Sequence, residues 1–186
     1  MNDKLDSASN FKRAQFQGEI LSVKKDEDIP MALEKLKGKK VIGFDTETKP
    51  SFKKGEFYHV SLLQLASDDC ALLFRLHYLK DFSLIKALFE DDSYVKAGVA
   101  IRDDIKGLQK IFEFTPKNFI ELSDIAKIKK LKNFGLKGMT EEVLNLTLSK
   151  RAKLSNWEAS ELKNDQIHYA ATDAWIGREL YLALTK

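Results

Sequence analysis

One short stretch, Val41-Ile42-Gly43-Phe44-Asp45-Thr46-Glu47, constrains the fold of this chain more than any other. Val41, Ile42 and Phe44 form the short apolar run that a central strand requires. Asp45 and Glu47 are two positions apart, so on an extended backbone both side chains leave the same face. Paired carboxylates at the end of a core strand repel each other. Their burial costs free energy unless a cation or several donors compensate. A divalent ion that prefers hard oxygen ligands, Mg2+ or Mn2+, is the usual compensation. Taken alone, Asp-x-Glu is common and is better read as a strand ending in a polar turn, so the rest of the chain has to decide.

The chain has 186 residues, 44% of them apolar, which suits one compact domain with a full core. We expect a flexible or loosely docked polar tail over residues 1–17 and one domain over 18–186. The single Cys70 excludes an internal disulfide and a multi-cysteine zinc site, and reads as a buried, inert thiol. Met1 to Gln17 lacks the apolar segment of a signal peptide, and no later apolar run is long enough to span a membrane. A cytoplasmic location is the default expectation. The net charge of +3 permits an anionic partner without demanding one.

Taken in order, Gly18 to Lys24 alternates as a half-exposed strand, and Asp28-Ile29-Pro30 opens a short helix ended by Gly38. The Val41–Glu47 strand follows. Lys49 to Glu56 is a polar loop, and Phe57 to Ala66 and Cys70 to Arg75 are further strands, so three adjacent strands form an antiparallel meander. The pattern then alternates. Helices are predicted from Asp81 or Ser83 to Phe89, Asp104 to Phe112, Ser123 to Lys130 and Gly138 to Leu146, the last capped by Thr140. Short strands are predicted at Tyr94 to Val99 and around Phe119 to Leu122. Asn164 is read as the cap of a long final helix, Asp165 to Leu184. The fold class is α/β, a mixed sheet flanked by helices.

Two further acids stand on inward faces. On the final helix Tyr169 and Asp173 are four apart, and their stripe continues through Ile176, Leu180 and Leu184, which places Asp173 in an apolar seam. On the helix after Val99, Asp104 shares its face with Leu108 and Ile111, whereas Asp103 faces outward as a first-turn acid. Asp45, Glu47, Asp104 and Asp173 are therefore the candidate metal ligands. Four carboxylates suit two divalent ions about 3.5–4 Å apart, the arrangement that stabilises both oxygens of an in-line phosphoryl displacement.

FDTE, GVAIRDD and YAATDA, in that order, resemble the three motifs of the DEDDy 3′-5′ exonucleases. Within that family the resemblance is strongest to the exonuclease domain of the Werner syndrome protein, with ribonuclease D more distant. It extends from Gly18 to Leu184 and includes LSNWE before the last helix. The resemblance implies a ribonuclease H-like fold and two metal ions. It implies that Asp45, Glu47 and Asp173 ligate the ion that activates water, that Asp45 bridges to the second ion, and that Asp104 acts there partly through water. It implies that Tyr169 orients the attacking water, and that nucleoside monophosphates leave the 3′ ends of DNA or RNA. The 3′-to-5′ polarity comes from the resemblance alone. A sister group uses His-x4-Asp, and His168 precedes Asp173 by five positions; helix phase stacks Tyr169, not His168, on Asp173, so His168 reads as a bystander.

For the substrate, Lys150, Arg151 and Lys153 before the last helix are candidate backbone contacts, as are Lys49, Lys53 and Lys54 after the metal strand, and the resemblance implies that Thr48 and the loop to Phe57 touch the 3′ nucleotide. Lys127, Lys129, Lys130 and Lys132 are either a nucleic-acid path or a wet helix face. Trp157 and Trp175 read as core. Since no helicase or polymerase segment is seen in these residues, a protein partner such as a helicase is expected to set specificity. Two rival readings stand beside the exonuclease. A non-catalytic nucleic-acid-binding module is disfavoured because inward acids without metal only destabilise. An Asp-nucleophile phosphatase is disfavoured because Glu47 stands where a second aspartate is needed.

Overall fold

The computed structural model describes residues 11–149 and 152–186. In chain order the elements are β1 (Lys12–Arg13), β2 (Glu19–Val23), α1 (Ile29–Glu34), β3 (Val41–Thr48), β4 (Val60–Ala66), β5 (Cys70–Arg75) and α2 (Ser83–Phe89). There follow β6 (Val95–Gly98), α3 (Ile101–Gln109), β7 (Phe119–Glu121), α4 (Leu122–Ile128), α5 (Leu136–Leu144), β8 (Leu146–Thr147) and α6 (Asn164–Leu184). Six strands make one mixed sheet in the order β2-β5-β4-β3-β6-β7. The expected meander is present, since β3, β4 and β5 pair antiparallel, while β2, β6 and β7 join parallel.

Alternation along β3 assigns its two faces. Ile42 and Phe44 point into the main core with Leu63, Leu65, Leu72 and Phe74, closed by side chains of α1, α2 and α3. Gly43 and Asp45 point the other way, toward α6. That helix sits unusually close to the sheet. A Cβ on Gly43 would lie 1.7 Å from the Ala174 carbonyl oxygen, and one on Gly177 would lie 2.7 Å from that of Ala97. Ala170, Ala171 and Ala174 keep the rest of the seam thin and are fully buried.

Several boundaries differ from the sequence reading. β4 begins at Val60 rather than Phe57, because Phe57 is 92% exposed and has no core to join. α3 begins at Ile101, three residues before Asp104, because the Glu121 carboxylate accepts from the N–H groups of Ala100 (2.9 Å) and Ile101 (2.8 Å). Thr140 does not cap α5; it is buried inside the helix and its hydroxyl donates to the Leu136 carbonyl at 2.6 Å. Lys163, not Asn164, is the N-cap of α6.

Of the two forms expected for the N-terminal stretch, residues from 11 onward take the docked one. Lys12 and Arg13 pair in parallel with Leu146 and Thr147. Ala14 and Phe16 are buried, and the Phe16 N–H donates to the Thr172 hydroxyl at 3.0 Å. Phe16 packs its ring on Trp175 at 6.0 Å between centroids. Two apolar side chains in a polar stretch suffice to dock this segment against α6.

Candidate active site

The close approach of α6 to β3 brings Asp173 beside Asp45 and Glu47. One carboxylate oxygen from each of the three lies within 4.8 Å of the others. β3 bulges between Glu47 and Thr48, so the strand bends away just after the second acid. Asp173 is only 8% exposed, as its place in the apolar stripe predicts.

Asp104 reaches the same cleft from α3. Its carboxylate accepts a 2.5 Å hydrogen bond from the Thr46 hydroxyl, which lies between the two acids of β3. Asp103, its neighbour, is 96% exposed and looks outward beside Lys106, as helix phase requires. Sequence reasoning missed Thr46 and Glu121. Thr46 aims Asp104, and Glu121 fixes the first turn of the helix that carries it. The one signal for Glu121 was an acid at the end of an otherwise apolar short strand.

Electrostatics follow from this crowding. Burial, then the charges of Asp173, Glu47 and Asp104, push Asp45 well above the ordinary carboxylate range. Burial, then Asp173 and Asp104, raise Glu47 to about 8. Burial raises Asp173 to about 7, against the pull of the Tyr169 hydroxyl, which donates toward it, and of Lys153. Burial raises Asp104 to about 6, against the Thr46 hydrogen bond. Tyr169 is pushed up from its ordinary value by burial and by the acids beside it, so its hydroxyl stays protonated. Groups that each resist ionisation next to one another form a site that lacks positive charge. Four hard oxygen donors fit Mg2+ or Mn2+, and the mutual reach of Asp45, Glu47 and Asp173 fits one shared ion.

The cleft has a volume of about 580 Å3. Besides the acids it is lined by Tyr169, Lys153 and the first residues of α5. His168 does not line it and turns into a neighbouring cavity. Lys150 and Arg151 lie outside the described residues. Thr48 is exposed past the bulge. Lys49 is tied to Glu158 at 3.6 Å and lies over the Tyr58 ring. Lys127 pairs with Asp124, and the basic run through Lys132 ends before the cleft wall begins at Gly135. Trp157 is fully buried, and Trp175 is half-buried against Phe16. Burial raises the Cys70 thiol to about 11, which makes it inert near neutral pH. Among the described residues no helix is long and apolar enough to cross a membrane.

Comparison with known proteins identifies a family. The profile of a family described as 3′-5′ exonuclease matches residues 20–186. The bifunctional 3′-5′ exonuclease/ATP-dependent helicase WRN of Mus musculus is 37% identical over 164 residues, covering 85% of this chain and 12% of that protein. A 3′-5′ exonuclease of Arabidopsis thaliana is 34% identical over 180 residues, covering 93% of this chain and 59% of its own length. The chain thus spans only part of these relatives. In fold, the crystal structure of Escherichia coli RNase D, an exoribonuclease involved in structured RNA processing, superposes with a TM-score of 0.82 at 24% identity, covering 90% of this chain and 44% of that one.

Proposed function

Because this chain belongs to the 3′-5′ exonuclease family, we propose that it is a two-metal-ion enzyme that shortens DNA, and by the same chemistry RNA, from the 3′ end and releases nucleoside 5′-monophosphates. The observation that carries this reading is the meeting of Asp45, Glu47 and Asp173 within 4.8 Å, with Asp104 in the same cleft. Asp45, Glu47 and Asp173 would hold one Mg2+ or Mn2+ ion, and Asp45 and Asp104 the other. Such ions supply Lewis-acid polarisation of the phosphoryl oxygens and an acidified water. Tyr169 presents a protonated hydroxyl at the cleft wall beside Asp173, placed to orient the attacking water. Lys153, which lines the cleft and whose charge acts on Glu47 and Asp173, would meet the substrate phosphate. Thr48, Lys150 and Arg151 complete the proposed substrate contacts.

Double-stranded ends would need opening, and a helicase is the proposed partner; the mouse relative is named for both activities in one chain. A cytoplasmic location belongs to this proposal. The test is incubation with 5′-labelled single strands and recessed duplexes, DNA and RNA, with Mg2+ or Mn2+. We expect a ladder shortening from the 3′ end that EDTA and Asp45→Ala abolish. Binding without a ladder under either ion would instead establish the non-catalytic module. Phosphate release from a small monoester would establish the phosphatase.

A further inference from the structure

A strand whose last nucleotide occupies the acidic cleft must leave it, and the surface offers two exits. One runs between β1 and α6, through a cavity of about 340 Å3 that joins the cleft at Tyr169 and Asp173. Its walls carry Arg13, Gln15, Asn164 and Asp165, and its rings among the described residues, His168 and Tyr169, are half-buried. The other joins the cleft at Asp104 and runs past Thr48 into a groove of about 360 Å3 bounded by Phe57, Tyr58, His59 and Lys110. Phe57, on the loop between β3 and β4, is 92% exposed, and Phe52 on the same loop is 82% exposed. Lys53 and Lys54 lie between them, and among the described residues neither is in a salt bridge. Tyr58 is held in place beneath the Lys49 ammonium, 4.6 Å from its ring centroid.

Exposed phenyl rings separated by free lysines have no role in the core. They match single-stranded nucleic acid, where bases need a flat apolar face and phosphates need a cation. The second exit offers both, whereas the first offers Arg13 and only half-buried rings. We propose that Phe57 is a stacking platform for the bases immediately 5′ of the terminal nucleotide, so that the β3–β4 loop gives the enzyme its grip on single strands. The proposal rests on the exonuclease reading for the orientation of the strand.

The test compares a 5′-fluorescein hexanucleotide with the corresponding dinucleotide, in wild type, Phe57→Ala, Phe57→Trp and Arg13→Ala. In wild type kcat/KM should favour the hexamer. Phe57→Ala should lower that ratio about tenfold, equivalent to ~1.4 kcal/mol, and Phe57→Trp should keep it. With Ca2+ replacing Mg2+, fluorescence anisotropy should show the same tenfold loss of hexamer affinity in Phe57→Ala. A ratio and affinity within about twofold of wild type in Phe57→Ala would overturn the platform. So would a loss shared by Phe57→Trp, or a collapse of the ratio in Arg13→Ala alone, which would route the strand through the other exit. If wild type shortens no strand, the exonuclease reading fails by itself, and the anisotropy comparison still decides whether Phe57 grips single strands.

Discussion

At the scale of single residues the site separates two neighbours on one helix turn. Tyr169 shares the cleft with the carboxylates, and His168 faces away from it. Tyr169→Phe removes the hydroxyl that would orient water, and kcat should fall roughly 10²- to 10⁴-fold, the usual scale of a positioned proton-transfer group. His168→Ala should stay within a few-fold of wild type in the same ladder assay. The reverse result would move the protein to the histidine class. The raised carboxylates make a second prediction. Groups whose folded pKa lies above the unfolded value favour the fold below the unfolded pKa, and that support is lost as pH rises through the folded pKa. Here the windows run from about 4 up to about 6 for Asp104, 7 for Asp173 and 8 for Glu47. With EDTA present, Asp173→Asn should therefore melt at nearly the wild-type temperature near pH 4 and a few degrees higher at pH 8. Adding Mn2+ should reverse that order, because only wild type keeps the full ligand set. Thermal melts across pH check both halves.

At the scale of elements the decisive contact is α6 against β3. Gly43→Ala places a methyl group inside the Ala174 carbonyl, so the helix must retreat. The overpacking should cost ~1–3 kcal/mol. Metal affinity should fall further than stability, because the retreat parts Asp173 from Asp45; calorimetric Mn2+ titration against a urea melt distinguishes the two losses. Glu121→Ala should leave two N–H groups at the start of α3 without their acceptor. That should cost about 1–3 kcal/mol and loosen Asp104, readable as a weaker dependence on the second ion. These elements also show what the sequence made legible. The acids of β3 and the inward face of α6 follow from local periodicity, which a single stretch carries. The start of α3 does not, because its cap is Glu121, about 20 residues down the chain. The docked N-terminal segment was hidden for the same reason: Ala14 and Phe16 have no periodicity of their own, and their partners lie on α6 and β8.

At the scale of the whole molecule the sheet separates its aromatic core from the acidic cleft. Behind β3, Phe44, Phe89, Phe112, Phe114 and Phe119 form a contiguous aromatic cluster, with centroids of neighbouring rings 5.0 to 6.4 Å apart. In front of it stand the acids and α6, with smaller apolar clusters packed around that helix. Phe89→Ala, at a fully buried site touching four other rings, should cost ~3–5 kcal/mol. Well below its lowered melting temperature, kcat should stay near the wild-type value, because no ring of the cluster lines the cleft. Denaturant melts and initial rates on one preparation test this division.

The cleft is also ordered in time. Asp45 lies early in the chain and Asp173 on the last helix, so the carboxylate cluster cannot close until α6 has been made and packed on Gly43. During synthesis the amino-terminal elements emerge first. A nascent chain that stops short of α6 carries two of the three clustered acids and no Tyr169, so the full ligand set exists only once that helix has been made.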